Sequence, residues 1–215
     1  MKHQSKIEVW DLCLRLFHFL LILLIIGSIV SAKLDRLDVH QYFGIMILGL
    51  LCFRILWGLF GTYYSTFKSF VISPHAVYLY VSGKYHNQSL RNPLGSYSVV
   101  TFIIVIFFLV ISGLFSSDDV MYDGPLVYLT PNYVSLWTKM HNVLHFVLYG
   151  LIILHLTAVF YYQYLKKHQI IQQIFDGYAR NINFKPRSIK EKYVFKGISF
   201  LLIFLSLPVI ILWYF

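Results

Sequence analysis

Residues 139–162 read KMHNVLHFVLYGLIILHLTAVFYY, an apolar stretch long enough to cross a bilayer as a helix. It carries three histidines, and two of them, His141 and His155, stand fourteen positions apart. Fourteen steps of about 100° close to within roughly 40° of four full turns, so both rings share one face, about 21 Å apart along the axis. Ionisable groups inside a membrane helix face a functional interior far more often than lipid. The stretch therefore reads as one wall of a two-site cage, and the rest of the chain has to supply the facing wall.

Composition places that wall in a membrane. Of 215 residues, 58% are hydrophobic, 19% aromatic and only 13% charged, which is too apolar for an ordinary soluble domain. The net charge of +9 does not read as a nucleic-acid surface, because most of the excess follows the histidine-bearing stretch in one block, as the positive-inside rule expects beside a span. Cys13 and Cys52 lie in or beside apolar runs, with no C-x-x-C and no C-x-x-C-H. That excludes a disulfide framework, a thiolate metal site and covalent attachment of a c-type haem.

Five runs are long enough to span: 12–32, 40–60, 97–116, 139–162 and 197–215. The first imitates a signal peptide ending at Val30-Ser31-Ala32. An uncleaved span is expected instead, since Glu8 and Asp11 precede it and Arg15 and His18 lie within it. The segment 163–196 carries Lys166, Lys167, Arg180, Lys185, Arg187, Lys190, Lys192 and Lys196, whereas 117–138 has no Lys or Arg and holds Asp118, Asp119 and Asp123. The basic segment is thus expected in the cytoplasm, with the N-terminus cytoplasmic, loops 33–39 and 117–138 outside, and the C-terminus periplasmic. Pro208 interrupts the fifth run, which carries no histidine and reads as a bent accessory helix.

With that orientation, depth sorts the histidines. His18 lies about two turns into a span entering from the cytoplasm, and His155 about two turns before the same surface. His40 and His141 both open their spans at the outer side. Two depth-matched pairs, His18 with His155 and His40 with His141, are what two stacked b haems need, each iron held by imidazoles from two helices of a bundle. On the second span Gly44, Ile47, Leu51, Arg54 and Gly58 line up with His40 in a narrow stripe. Glycine on that stripe allows either close approach of a porphyrin or close helix packing. Arg54 reaches the depth of the inner pair and is expected to neutralise a haem propionate there, with Arg15, one turn before His18, a second candidate.

Val9-Trp10-Asp11, then Arg15-Leu16-Phe17-His18-Phe19, His40-x-x-x-Gly44, Phe53-Arg54-x-x-Trp57-Gly58-x-x-Gly61, Asn92-Pro93-x-Gly95, Ser112-Gly113-Leu114-Phe115, Asp119 with Gly124-Pro125, and His141-x13-His155 together resemble the bacterial cytochrome b561 and nickel-iron hydrogenase b-type cytochrome superfamily. The likeness runs in order from about residue 9 to 165. It implies an all-α membrane protein: a four-helix transmembrane bundle holding two non-covalent haem b groups, and electron exchange with quinone. Carried over by position, the ligands are His18, His40, His141 and His155. Two departures stand out: Asn142 occupies the place where a glutamate commonly follows the outer histidine, and His145 takes the place of a small residue. His145 remains an alternative outer ligand, since i and i+4 share a face, although it diverges from His155 by about 80° where His141 does not.

The resulting expectation has three parts: a di-haem domain over 1–165, a basic cytoplasmic segment over 166–196, and a fifth, accessory transmembrane helix over 197–215. It sits in the bacterial inner membrane and moves electrons between the quinone pool and a periplasmic partner, either a c-type cytochrome, a hydrogenase or superoxide. A homodimer is compatible with this, and no quinone-site residue is assigned. The competing class, a histidine-box oxidase or desaturase built on His141-x-x-x-His145, needs several more ligands at one depth. A non-redox transporter leaves the paired depths unexplained. His3, His75, His86 and His168 fall in the tail or loops and read as solvated or interfacial, and Tyr161, Tyr162 and Tyr164 as part of an aromatic belt.

Overall fold

A computed structural model of the chain describes residues 7–69, 73–84, 93–120, 122–179 and 191–214. His3, His86, Asn92, Arg180, Lys185, Arg187 and Lys190, singled out above, lie outside the described residues. Four helices are long and apolar enough to cross a membrane: α1 (Leu12–Lys33), α2 (Leu37–Phe60), α4 (Pro93–Leu114) and α5 (Val134–Phe160). A π-helical turn, Tyr161–Leu165, prolongs α5. Two short helices, α3 (Pro74–Val81) and α6 (Ile170–Asp176), lie in the connections, and α7 spans Glu191–Tyr214. Pro208 is inside α7 rather than at a break in it.

Local signals set the helix ends. Asp11 caps α1 by accepting from the Leu14 amide at 2.8 Å. Ser73 caps α3, which has proline in its first turn. Gly177 ends α6 with φ +86°, a conformation that a Cβ disfavours. Its carbonyl then accepts from the Val9 and Trp10 amides at 2.9 and 3.1 Å. There β1 (Ile7–Glu8) pairs antiparallel with β2 (Tyr178–Ala179), so the segment before α1 is stitched to the segment after α6.

Packing makes α2 the centre. Half of its most apolar window is buried, against 6% for the Pro131–Leu165 span. Helix α1 lies along α2, α4 touches both α2 and α5, and α7 rests on α2 and α1. A Cβ at Gly27 would stand 2.6–2.9 Å from the Phe43 ring, and one at Gly197 would stand 2.5 Å from Cys13 Sγ and 2.6 Å from Trp57. Glycine is therefore what lets α1 meet α2, and α7 meet both. In contrast, α5 packs closely on α4 while α1 and α2 are not among its close partners. Helix association in lipid depends on tight van der Waals contact, so α5 is held mainly by α4 and reaches the rest of the bundle through side chains such as Leu148 and His141.

The connections gather at two ends. The segment before α1, the turn after α2, and α6–β2 share the basic end, where Thr62 Oγ1 reaches Asp11 at 2.6 Å and the Tyr80 and Tyr162 hydroxyls bond. Loop 115–133 covers the acidic end, where Tyr122 bonds Gln41 and a single antiparallel bridge joins Ser117 to Asp123. Burial pushes the Tyr122 hydroxyl up to about 12, helped by the negative charge of Asp38. It therefore stays protonated, as a donor to Gln41 requires.

Candidate functional site

The acidic end brings His40 and His141 together. Their ring centres are 6.0 Å apart with planes at 89°. His40 Nδ1 sits 2.9 Å from the Ser28 carbonyl oxygen and 3.1 Å from Ser28 Oγ, while His141 Nδ1 sits 2.9 Å from the Leu109 carbonyl oxygen. Each carbonyl also accepts from a serine three residues on, Ser31 Oγ at 3.0 Å and Ser112 Oγ at 2.9 Å. A carbonyl partner makes Nδ1 the protonated nitrogen and leaves Nε2 with its lone pair, the state that a metal ligand needs.

The residues fit a haem iron here. Two metal–imidazole bonds of about 2 Å each, plus the distance from nitrogen to ring centre, put axial rings about 6 Å apart. Room flanks the pair as well: one turn along α2 from His40, a Cβ at Gly44 would have nothing within 4 Å. On α4 the reverse holds, because a Cβ at Gly113 would stand 2.9 Å from His141 Cε1 and 3.0 Å from Nδ1. Glycine at 113 is what lets the His141 ring reach Leu109. His145 is turned elsewhere, packing on Phe146 at 3.9 Å and Tyr149 at 5.4 Å between ring centres.

The basic end carries the other two histidines, His18 on α1 and His155 on α5. Trp10 meets His18 edge-on at 6.5 Å, and Phe102 meets His155 at 5.6 Å. His18 Nδ1 is buried with no hydrogen-bond partner among the described residues. Such an atom is costly in a closed core and is consistent with a ring that is completed by a ligand. Midway between His141 and His155 on the same face stands Leu148, the buried residue of α5 among those described. It separates the two histidine sites.

The two arginines are fixed by protein groups. Arg54, 2% exposed, donates to the Ser65 carbonyl oxygen at 3.2 Å, and its guanidinium lies 4.9 Å from the centre of the Phe67 ring. Phe67 fits there because Gly58 has no side chain, since a Cβ would come within 2.2 Å of its ring. The stripe glycines thus divide: Gly44 borders open space and Gly58 admits Phe67. Arg15 donates to the Phe175 carbonyl oxygen at 2.7 Å, while its Nε is buried without a partner among the described residues. Arg15 also opposes the upward push that burial gives the Glu8 carboxyl.

Sequence reading missed the polar knot beside these arginines. Asp11, fully buried, accepts from Trp57 Nε1 at 3.1 Å and Thr62 Oγ1 at 2.6 Å as well as capping α1, and Thr62 Oγ1 lies 3.0 Å from Ser65 Oγ. The signal was present in Val9-Trp10-Asp11 and in Trp57, but nothing local joins residues 46 and 51 positions apart. The positioning roles of Ser28 and Gly113 were missed for the same reason.

Among the described residues no group of three or more His, Cys, Asp or Glu could hold a metal ion. A histidine box is not assembled there. The paired His40 and His141, with open space beside Gly44, fit a prosthetic group carrying its own four equatorial nitrogens. No curated protein and no solved structure matches the chain. The family model described as prokaryotic cytochrome b561 matches residues 9–177, which takes in α1 to α6 with all four histidines. With four helices able to cross a membrane, the chain belongs to the prokaryotic cytochrome b561 family, as a multi-pass membrane b-type cytochrome of electron transfer.

Proposed function

We propose that the chain carries electrons across the bacterial inner membrane through two b haems, one held by His40 and His141 and the other by His18 and His155. The electrons pass between the membrane quinone pool and a periplasmic donor or acceptor: a c-type cytochrome, a hydrogenase or superoxide. The observation that carries this reading is the His40–His141 pair, with ring centres 6.0 Å apart and both Nδ1 atoms engaged by carbonyls of neighbouring helices. Each haem, when bound, supplies a one-electron couple.

The chain's own residues do the rest. Ser28 and Leu109 orient the two outer imidazoles. Leu148, buried midway along α5, lies between the sites. Arg15 and Arg54 place positive charge at the basic end, where the anionic propionates of the inner haem favour it. The basic end faces the cytoplasm because Lys and Arg of short loops are retained there. The di-haem domain ends near residue 165, the basic segment follows, and α7 crosses as a fifth helix that puts the C-terminus in the periplasm. Its 24 residues are enough to cross.

The visible spectrum of the purified protein tests the reading. Two haems per chain, with a Soret band and an α-band that sharpens on reduction, are expected; a colourless protein sinks it. Mixing with quinols, superoxide and a reduced c-type cytochrome then identifies the partner by which one exchanges electrons quickly.

A further inference from the structure

At the acidic end two side-chain donors are buried with no hydrogen-bond partner among the described residues: Trp137 Nε1 and Thr130 Oγ1. Neither is loosely placed. The Trp137 indole stacks on Phe115 at 5.1 Å and 26°. Thr130 is held by its backbone, its amide donating to the Val127 carbonyl at 3.1 Å and its carbonyl accepting from the Tyr133 amide at 3.0 Å. Trp137 stands one turn before His141, about 6 Å further out on nearly the same face. The residues that meet the two rings, Gly113 near the end of α4 under His141 and Phe115 just beyond it on Trp137, follow the same ladder.

Neighbouring hydroxyls are already occupied: Tyr122 by Gln41, Thr138 by the Ser117 carbonyl at 3.2 Å and Ser116 by the Gly113 carbonyl at 2.9 Å. No Lys or Arg occurs from 117 to 138, so an anion at this end has no cation in the covering loop. A b haem carries two carboxylate arms, and one beside His141 would find in Trp137 and Thr130 donors that bring no charge. We propose that Trp137 and Thr130 hold a propionate carboxylate of the haem bound by His40 and His141. This rests on the di-haem reading above. The two unpartnered donors match what the carboxylate requires, since each of its oxygens accepts hydrogen bonds and offers none. The two ends then treat the same group differently, with arginine charge at one and neutral donors at the other.

The test uses the full chain as wild type, Trp137→Phe, Thr130→Val and the double variant. Three quantities are read: haem per chain, the midpoint potential of each haem, and the propionate-bending band in resonance Raman spectra. The expected result is that both haems stay bound, one haem's propionate band shifts and that haem's midpoint falls, because a carboxylate without donors places fuller negative charge near the iron. The other haem is unchanged, and the double variant shifts most. Wild-type bands and midpoints in every variant overturn the proposal. So does a changed quinol KM with the band unmoved, since the donors would then serve a quinone carbonyl. If Trp137→Phe does not fold, Thr130→Val alone decides. A wild-type protein lacking a second haem defeats the di-haem reading instead, and that is seen before any variant is made.

Discussion

The two ends of the bundle hold their histidines by opposite means. At the acidic end both Nδ1 atoms are tied to main-chain carbonyls, Ser28 for His40 and Leu109 for His141, and the covering loop is pinned to α2 through Tyr122–Gln41 and to α5 through Ser117–Thr138. At the basic end His18 Nδ1 has no partner among the described residues, and the surroundings are charged: Arg15, Arg54 and the buried Asp11. The backbone orients one pair, so that site is set by helix geometry. Packing against Trp10, Phe19 and Phe102 orients the other, so that site depends on how the N-terminal strap and α6–β2 close over it.

The largest effect that tests this contrast is removal of one histidine. His141→Ala should abolish the acidic-end haem and His155→Ala the basic-end haem, each leaving about half of the wild-type haem in the purified protein, because a single axial ligand is a poor hold for a low-spin bis-histidine centre. His145→Ala should leave the full complement, since its ring packs on Phe146 and Tyr149. Loss of haem from His145→Ala and not from His141→Ala would reverse the assignment of the outer ligand.

The next effect is steric and separates two glycines. Gly113→Ala would drive a methyl to 2.9–3.0 Å from the His141 imidazole, tighter than packed carbons tolerate, so the ring must leave the Leu109 carbonyl. Reduced haem content with an altered α-band at one site is expected. Gly44→Ala meets no protein atom and should leave the apoprotein's helical circular dichroism and melting untouched. If Gly44→Leu costs acidic-end haem while the apoprotein still folds, a ring occupies that space. If it costs nothing, the space is lipid.

Much of this was legible in the sequence because membrane helices leave few choices. The four spans followed from run length, and the observed helices begin and end within a few residues of them. The His40–His141 meeting followed from depth, which a straight helix preserves at a fixed rise per residue. What stayed hidden is whatever depends on contact across the chain. Gly58 and Gly44 share one stripe and look alike in sequence, yet one receives Phe67 and the other receives nothing. Whether Phe67 folds back onto α2 is decided by the turn after it. Helices α3 and α6 were missed because eight and seven residues are too few for a periodic pattern to rise above loop composition.

A third expectation concerns the basic end alone. Asp11→Ala removes the acceptor for Trp57 Nε1, Thr62 Oγ1 and the Leu14 amide. A buried donor left unpaired costs about 1–3 kcal/mol and a lost N-cap about 1 kcal/mol. Thr62 has Ser65 as a substitute acceptor, so a total of about 3 kcal/mol is expected, seen as earlier thermal unfolding in detergent. Asp11→Asn, which retains an acceptor oxygen, should fall between. If the two ends are independent, the acidic-end haem keeps its midpoint potential in both variants.

The smallest effect probes how the outer histidines are held. Ser28 offers His40 two oxygens, its carbonyl at 2.9 Å and its hydroxyl at 3.1 Å. Ser28→Ala removes only the second. If the main chain fixes His40, as the comparison of the two ends has it, the haem stays bound and the outer midpoint potential moves little, because one neutral hydrogen bond is worth about 1 kcal/mol and the carbonyl remains. A large shift, or loss of the outer haem, would make the hydroxyl the true anchor. The contrast would then lie not between backbone and packing but between one side chain and another.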